Sequence, residues 1–405
     1  MTATLTAPIA IPATRPWISV YAVMFFSTWA GNQFSPLLLL YKQREHYSAL
    51  AVNGFLGVYV LGLGPAFLLS GALSDRYGRR PVMFGGVLAA LAASTALACG
   101  GSGPVMICTG RFLAGIAVGT ATCVGTSWLK ELSAPPFDPR ADAGSGARRA
   151  TTSFALGSAT GALVAGLIAQ WGPWALQLPY LIHVALTLPF AWLVLRAPET
   201  AGSPGPLRDR LRVPAVGHRR FLRVVAVAAP WLFVAPSLAY GYLPVLLEKT
   251  TGTVGIAYAT LLTVIALGMS ALVQPWAKRL DRMDSARGLV IAISLITVGV
   301  ALAATANHLQ SWIAGLGVAV VMGCGIGVGM VSGILEVQRI AGPSDLAGLT
   351  GVFYAIAYTG FLTPTLLAAT AGTLGTTGPL LAVTAIGLLC VLALLTAYRK
   401  HLPTR

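Results

Sequence analysis

The sequence predicts an all-α membrane protein: twelve transmembrane helices in two pseudo-symmetric six-helix bundles. Three observations carry that expectation: a composition suited to lipid, twelve apolar runs of spanning length, and marker residues repeating at a fixed offset. Of the 405 residues, 56% are hydrophobic and only 10% charged, and the mean hydropathy is +0.76. A water-soluble domain carries roughly 25% charged residues, whereas a bilayer asks for apolar stretches of about 20 residues each.

Such stretches fall near 17–41, 50–73, 81–100, 104–129, 150–170 and 174–195. A second set falls near 223–247, 255–276, 288–306, 312–335, 346–370 and 376–398. The 46 Gly and 25 Pro are frequent inside them, as in membrane helices that pack closely or bend. No Gly-X-Y period is present, which excludes a collagen-like chain.

The formal net charge of +15 could suggest nucleic acid, but the placement of the cations argues against that partner. With the N-terminus cytoplasmic, 23 of the 27 Lys and Arg fall on cytoplasmic segments, Lys42, Arg44 and Lys249 on the opposite side, and Arg111 inside a span. This is the positive-inside pattern. It predicts a multi-pass protein of the plasma membrane with both termini cytoplasmic and the lipid bilayer as its surroundings. The first sixteen residues lack a charged leader and a cleavage site, so the first span is expected to direct insertion. Cys99, Cys108, Cys123, Cys324 and Cys390 have no paired spacing. They read as small packing residues, with no disulfide, metal or other cofactor expected.

The stretch 196–222 contains Pro198, Pro204, Pro206 and Pro214 with a dense basic cluster, and is expected to link an N-terminal half (1–195) to a C-terminal half (223–405). A shift of about 206 residues lays Asp75-Arg76 on Asp281-Arg282, Glu131 within one position of Glu336, and Pro36–Lys42 near Pro244–Lys249. Phe154 and Gly161 share their spacing with Phe353 and Gly360. Parallel repeats of this kind place a binding site between the halves, near the middle of the membrane.

The loop after the second run reads GALSDRYGRR at 71–80. Gly71 is expected to admit a neighbouring helix, Asp75 to set a carboxylate at the membrane edge, and Gly78 to allow a sharp turn held in the cytoplasm by Arg76, Arg79 and Arg80. This resembles the signature loop of the major facilitator superfamily at every signature position. The resemblance implies that family's fold and a gating role for the loop. In the family, the matching aspartate interacts with the N-terminal end of span eleven, here Ser344-Asp345. The plain alternative is that Asp75 and its arginines only fix topology. The second copy, around Asp281, lacks the glycines.

Span four carries Arg111-Phe-Leu-Ala-Gly115, similar to the family's second motif. An arginine within a span costs at least about 2.5 kcal/mol unless it faces a cavity or partners. Arg111 therefore reads either as a contact for substrate or proton coupling, or as a residue tied to span one through Asn32 and Gln33. In span five, Gly157-X-X-X-Gly161 loosely resembles an exporter motif, but Ala162 replaces its proline, and a packing face is the favoured reading.

The resemblance makes spans 1, 2, 4, 5, 7, 8, 10 and 11 the lining of a central cavity. Candidate substrate or coupling residues on them are Asn32, Gln33, Asn53, Arg111, Tyr240, Tyr354 and Tyr358, a polar and aromatic set suited to an amphipathic solute. All twelve carboxylates fall in loops or at span edges. That favours neutral or anionic solutes over lipophilic cations, and leaves Glu131, Glu336, Asp75 or His183 for any proton coupling. The expected function is secondary active transport of a small-molecule substrate, as a monomeric exporter or antiporter of drug-like or metabolite molecules, with protons as a candidate coupling ion. Nutrient uptake is the alternative, and a receptor or scaffold of the same fold a more distant one. Catalysis is not expected, since no nucleophile–base pair, metal cluster or nucleotide loop is present.

Overall fold

A computed structural model describes residues 15–142, 145–202, 213–282, 284–341 and 346–400, apart from the side chains of Lys278 and Ala347. Numbered in chain order, α1 is broken into Trp17–Asn32, a 3₁₀ turn Ser35–Leu37 and Leu38–Arg44. It is followed by α2 (Ala49–Tyr77), α3 (Arg79–Ala98), α4 (Pro104–Leu132), α5 (Ser145–Trp171) and α6 (Leu178–Val194). The second half comprises α7 (Phe221–Leu246), α8 (Gly255–Leu280), α9 (Arg287–Leu309), α10 (Trp312–Ile340), α11 (Leu346–Leu374) and α12 (Thr377–Thr396).

Among the described residues, ten helices are long and apolar enough to cross a membrane. The other two expected spans are the broken α1 and the 17-residue apolar α6, near the lower limit of about 17 residues for a spanning helix. Each expected run overlaps a helix; the helices extend further mainly at the ends where charged side chains sit.

Small residues set how the helices meet. In the first half, a side chain at Gly62 would overlap the Phe112 carbonyl and one at Gly115 the Tyr59 carbonyl, so α2 and α4 touch backbone to backbone. In the second half, a Cβ at Gly323 would lie 2.6 Å from the Ala266 carbonyl, and one at Gly327 would overlap the Ser270 carbonyl, bringing α10 onto α8 in the same way. The pair α1–α5 is likewise matched by α7–α11. Gly161 sits against Trp29, where a Cβ would stand 2.8 Å from its carbonyl, and Gly360 sits against the backbone of Pro230 and Val234. Gly161 and Gly360 are the two glycines that the repeat aligned. Small residues at such contacts replace the hydrophobic drive that lipid cannot supply.

Departures from regular helix are concentrated in α1, α4, α7 and α11. α4 has a π-helical stretch at Ala121–Gly125, α7 has two at Phe221–Val225 and Ser237–Tyr242, and α11 passes through a 3₁₀ turn at Thr359–Leu362. Pro36 lies in the break of α1, and Pro230, Pro236 and Pro244 punctuate α7. Of the most apolar windows, 67% of that in α7 is buried against 22% in α12. Irregular backbone is thus carried by a helix that protein surrounds, while α12 faces outward with an unbroken ladder.

The second half also contains charge sealed within protein. Arg220 Nε and Nη2 donate to the two Glu336 oxygens, each at 2.7 Å, and both side chains are 0% exposed. Arg339 donates to Glu336 at 3.0 Å and pairs with Asp281. Burial holds the Asp281 carboxyl above its ordinary value, against the opposing pull of Arg339. Glu336 lies toward the end of α10, as the span-edge expectation has it, but it is sealed within protein, because the ends of α7 and α10 and the chain after α12 close over Glu336 and Arg220. Arg220 Nη1 donates to the Lys400 carbonyl at 3.0 Å.

Replacing Arg220 by Leu should destabilise the protein by about 3–5 kcal/mol, because Glu336 is then buried without its main partner. Thermal unfolding in detergent checks this, and Arg220→Met with Glu336→Leu should recover much of the loss. Gly157→Val should cost about 1–3 kcal/mol by forcing α5 off the Phe25 carbonyl. Gly54→Ala, with open space around it, should be near neutral in the same assay.

Candidate functional site

Only one residue separates α2 from α3. Gly78 adopts φ 105° and ψ 155°, a backbone state that side chains disfavour. Its missing side chain serves a second purpose, since a Cβ there would lie 2.6 Å from a Glu199 oxygen. Glu199 accepts from the Arg79 amide at 2.6 Å and the Arg80 amide at 2.9 Å, so a carboxylate from beyond α6 caps the start of α3.

Arg79 is the centre of this loop. Its guanidinium donates to Asp75 at 2.5 Å, to Ser74 at 2.7 Å, and in bidentate fashion to Glu131 at 2.8 and 3.2 Å. It ties the end of α2 to the end of α4 with charge-assisted bonds. Thr200 donates to Glu131, and Trp128 Nε1 to the Pro198 carbonyl at 3.0 Å, which fastens the chain after α6 to the same cluster. Arg76 lies over the Tyr77 ring at 5.1 Å.

The expectation for Gly71 is not met among the described residues. A Cβ built there has nothing within 4 Å, so no described helix uses the gap. Close approach between α2 and α11 comes one turn deeper, where a Cβ on Gly351 would lie 2.6 Å from the Phe67 carbonyl. The proposed aspartate partner at Ser344-Asp345 lies outside the described residues.

In the second half, Asp281 and Glu336, the repeat counterparts of Asp75 and Glu131, are again bridged by one arginine, Arg339. The bridging arginine follows the loop in the first half and comes from α10 in the second. The repeat carries over the carboxylates and not the arginine.

Arg111 is 1% exposed. It donates to the Gly31 carbonyl at 3.1 Å and the Phe55 carbonyl at 3.3 Å, and its guanidinium lies 4.6 Å from the Phe34 ring and 4.4 Å from the Tyr59 ring. Asn32 and Gln33, the partners foreseen for it, are occupied elsewhere. The break in α1 frees carbonyls that would otherwise sit inside the helical ladder, and a buried guanidinium takes one of them.

Asn32 donates to Ser158 on α5 at 3.0 Å and to the Thr28 carbonyl at 3.2 Å. Gln33 points to α3 and donates to Ser94 at 2.8 Å. Ser94 in turn meets His183 Nδ1 at 2.8 Å, and His183 Nε2 meets the Phe26 carbonyl at 2.8 Å. A carbonyl only accepts, so Nε2 carries the hydrogen and Nδ1 receives the Ser94 hydroxyl. Gln33 and His183 therefore belong to one buried network linking α1, α3 and α6. Asn53 is 0% exposed; its side-chain amide donates to the Ala49 carbonyl at 2.8 Å, and its backbone carbonyl accepts from Thr365 of α11 at 2.8 Å.

Aromatic rings join the halves. Tyr354 stacks on Phe67 at 5.1 Å and 12°. Tyr358 stacks on Phe233 at 3.6 Å and on Phe361 at 5.7 Å, and meets Tyr59 edge-on at 6.2 Å. Tyr240, in the second π stretch of α7, is 4% exposed. Tyr354 and Tyr358 were legible as candidates; Tyr59, Phe67, Phe233 and Phe361 were not, because an aromatic in an apolar run looks the same whether it faces lipid or a partner helix.

The ends remote from the Asp75 loop are bridged between halves. Lys42 pairs with Glu248, which also accepts from Gln43 at 3.0 Å. Gln170 donates to the Thr253 carbonyl at 2.7 Å and accepts from the Ala257 amide at 2.9 Å. Lys42 and Glu248 are 206 positions apart, the repeat offset itself. At the loop ends, the pairs centred on Arg79, Arg220 and Arg339 each stay within one half.

The chain aligns with Quinidine resistance protein 1 of Saccharomyces cerevisiae at 27% identity over 177 residues, 44% of this chain and 30% of that one. With Multidrug resistance protein MdtH of Aeromonas hydrophila it shares 29% over 259 residues, 62% of this chain and 60% of the relative. It thus spans less than two thirds of the length of these relatives. Among solved structures, a POT family transporter in complex with 5-aminolevulinic acid superposes with TM-score 0.76 at 11% identity, covering 96% of each chain. A D-xylose-proton symporter does so with TM-score 0.67 at 17% identity, covering 96% of this chain and 97% of that one. The sequence pattern of the Major Facilitator Superfamily matches residues 17–358. With the signature loop, the paired halves and this match in place, the chain belongs to the Major Facilitator Superfamily of membrane transporters.

Proposed function

We propose that this transporter is an exporter of neutral or anionic, aromatic-bearing drug-like or metabolite molecules, working by alternating access across a plasma membrane. The observation that carries the reading is the ring stack of Tyr59, Phe67, Phe233, Tyr354 and Tyr358 between the halves, with Arg111 behind Tyr59. Rings that stack on one another across a separable interface can exchange those contacts for a flat solute. No carboxylate lies deep in a span to select a cation.

The relatives' names support drug export. Quinidine, named in one of them, is a basic amine, and the present chain lacks a deep carboxylate to pair with it. With the Asp75 loop on the cytoplasmic side, as the positive-inside pattern has it, the Lys42–Glu248 and Gln170 bridges close the outer ends. Proton coupling, on this reading, runs through Asp75 and Glu131, which share Arg79 and remain about one-third exposed. His183 and Glu336 are enclosed within protein and hydrogen-bonded to their neighbours.

Flux of a ligand panel into and out of proteoliposomes under imposed pH and voltage gradients tests the proposal. Neutral and anionic aromatics should move, faster outward in the cellular sense, and Tyr358→Ala should reduce their flux. Preferential transport of lipophilic cations, or net uptake, would overturn it. Asp75→Asn should insert and unfold like the parent yet transport several-fold more slowly; parental flux in a properly inserted variant would reduce the loop to a topology marker.

A further inference from the structure

Two helices begin at matching points of the repeat. α2 starts at Ala49 and α8 at Gly255, the same 206-residue spacing that separates Lys42 from Glu248. Their first turns are completed differently. Ser48, with extended backbone at φ −62° and ψ 155°, caps α2 by accepting from the Ala51 amide at 3.1 Å. The matching position before α8 is Val254, whose side chain has no acceptor. It sits at φ −102° and ψ 15°, because a 3₁₀ turn at Gly252–Val254 runs straight into the helix.

The amide that matches Ala51 is that of Ala257, and its acceptor comes from the other half of the molecule. Gln170, in the last turn of α5, accepts from Ala257 through Oε1 at 2.9 Å. It also donates through Nε2 to the Thr253 carbonyl at 2.7 Å. Both polar atoms of one side-chain amide are thus spent on the start of α8. One turn deeper, a Cβ at Gly166 would overlap the Thr260 hydroxyl, so α5 and α8 are in contact there as well.

We propose that Gln170 is a positioning residue of the gate remote from the Asp75 loop: it caps α8 from the opposite half, so that α8 is capped only while this gate is closed. Parting α5 from α8 takes the acceptor away from the Ala257 amide, and no capping side chain before α8 replaces it. α2 keeps Ser48 however the halves stand, since cap and helix lie in one half. Opening this gate therefore loosens the first turn of α8 and leaves that of α2 intact. The inference rests on the alternating access proposed above and is independent of cargo and direction.

Residue-resolved hydrogen exchange of the full chain in lipid nanodiscs tests it. Lys42→Met removes the ion pair to Glu248 on the other side of the same gate. It should raise exchange at the Ala257 amide about threefold, within the range of a partly exposed ion pair, and leave the Ala51 amide unchanged. Gln170→Ala should raise exchange at Ala257 about fivefold, as for the loss of a typical helix cap, and should also raise it across Leu38–Arg44 of α1. Gln170→Glu keeps an acceptor at the helix start and should stay near the parent. Ala257 unmoved by Lys42→Met, a rise confined to residues 255–258 in Gln170→Ala, or equal rises at Ala51 and Ala257 would each overturn the proposal. Cargo and direction are read separately from flux, so either proposal can fail without the other.

Discussion

Within a bilayer, a peptide group without a hydrogen-bond partner costs several kcal/mol, and the organisation of this chain follows from that constraint. The chain meets it with helices, and it relaxes the ladder only where protein supplies the missing partners. The break in α1 illustrates the exchange. The Gly31 carbonyl receives Arg111, so the irregular backbone and the buried cation satisfy each other. The π stretches of α4 and α7 fall on helices whose most apolar windows are 61% and 67% buried, and the 3₁₀ turn of α11 sets Gly360 against the backbone of α7. Backbone that can bend is thus placed beside the interface along which the halves would move.

Charge is arranged by the same constraint. Every described carboxylate lies near the ends of the spans, and two arginine-centred clusters, Asp75–Arg79–Glu131 and Asp281–Arg339–Glu336, repeat the same logic in the two halves. They differ in exposure. The first is open enough for Glu199 and Thr200 to join from the chain leading out of α6, so hydrogen bonds tie the loop to the exit from the first half. The second is sealed by Arg220 and the chain after α12. The two halves of the pseudo-symmetric fold thus carry one accessible cluster and one sealed cluster.

The contact between the halves is correspondingly mixed. Aromatic rings meet near the middle, and hydrogen bonds with one ion pair meet at the ends remote from the Asp75 loop. Stacked rings and a single partly exposed ion pair are weak, reversible contacts, each of about a kcal/mol. Within each half, glycines bring backbones into direct contact, and between the halves Gly351 does the same against the Phe67 carbonyl.

Sequence alone determined the membrane class, the positions of the spans, the repeat, the Gly78 turn and the candidacy of Asp75, Arg111, Tyr354 and Tyr358. These are local or periodic signals: apolar run length, charge placement, a ten-residue loop, a constant offset. Tertiary structure decided which polar side chains meet. Gln33 turned toward Ser94 and His183, Arg111 found carbonyls in place of Asn32, and Glu199 reached across 120 positions to cap α3. It also decided which aromatics face the other half and that Glu336 is sealed within protein. A helix presents every direction within a single turn, so its sequence lists what can be offered on each side. Only packing settles which side meets lipid, which meets protein and which meets the path.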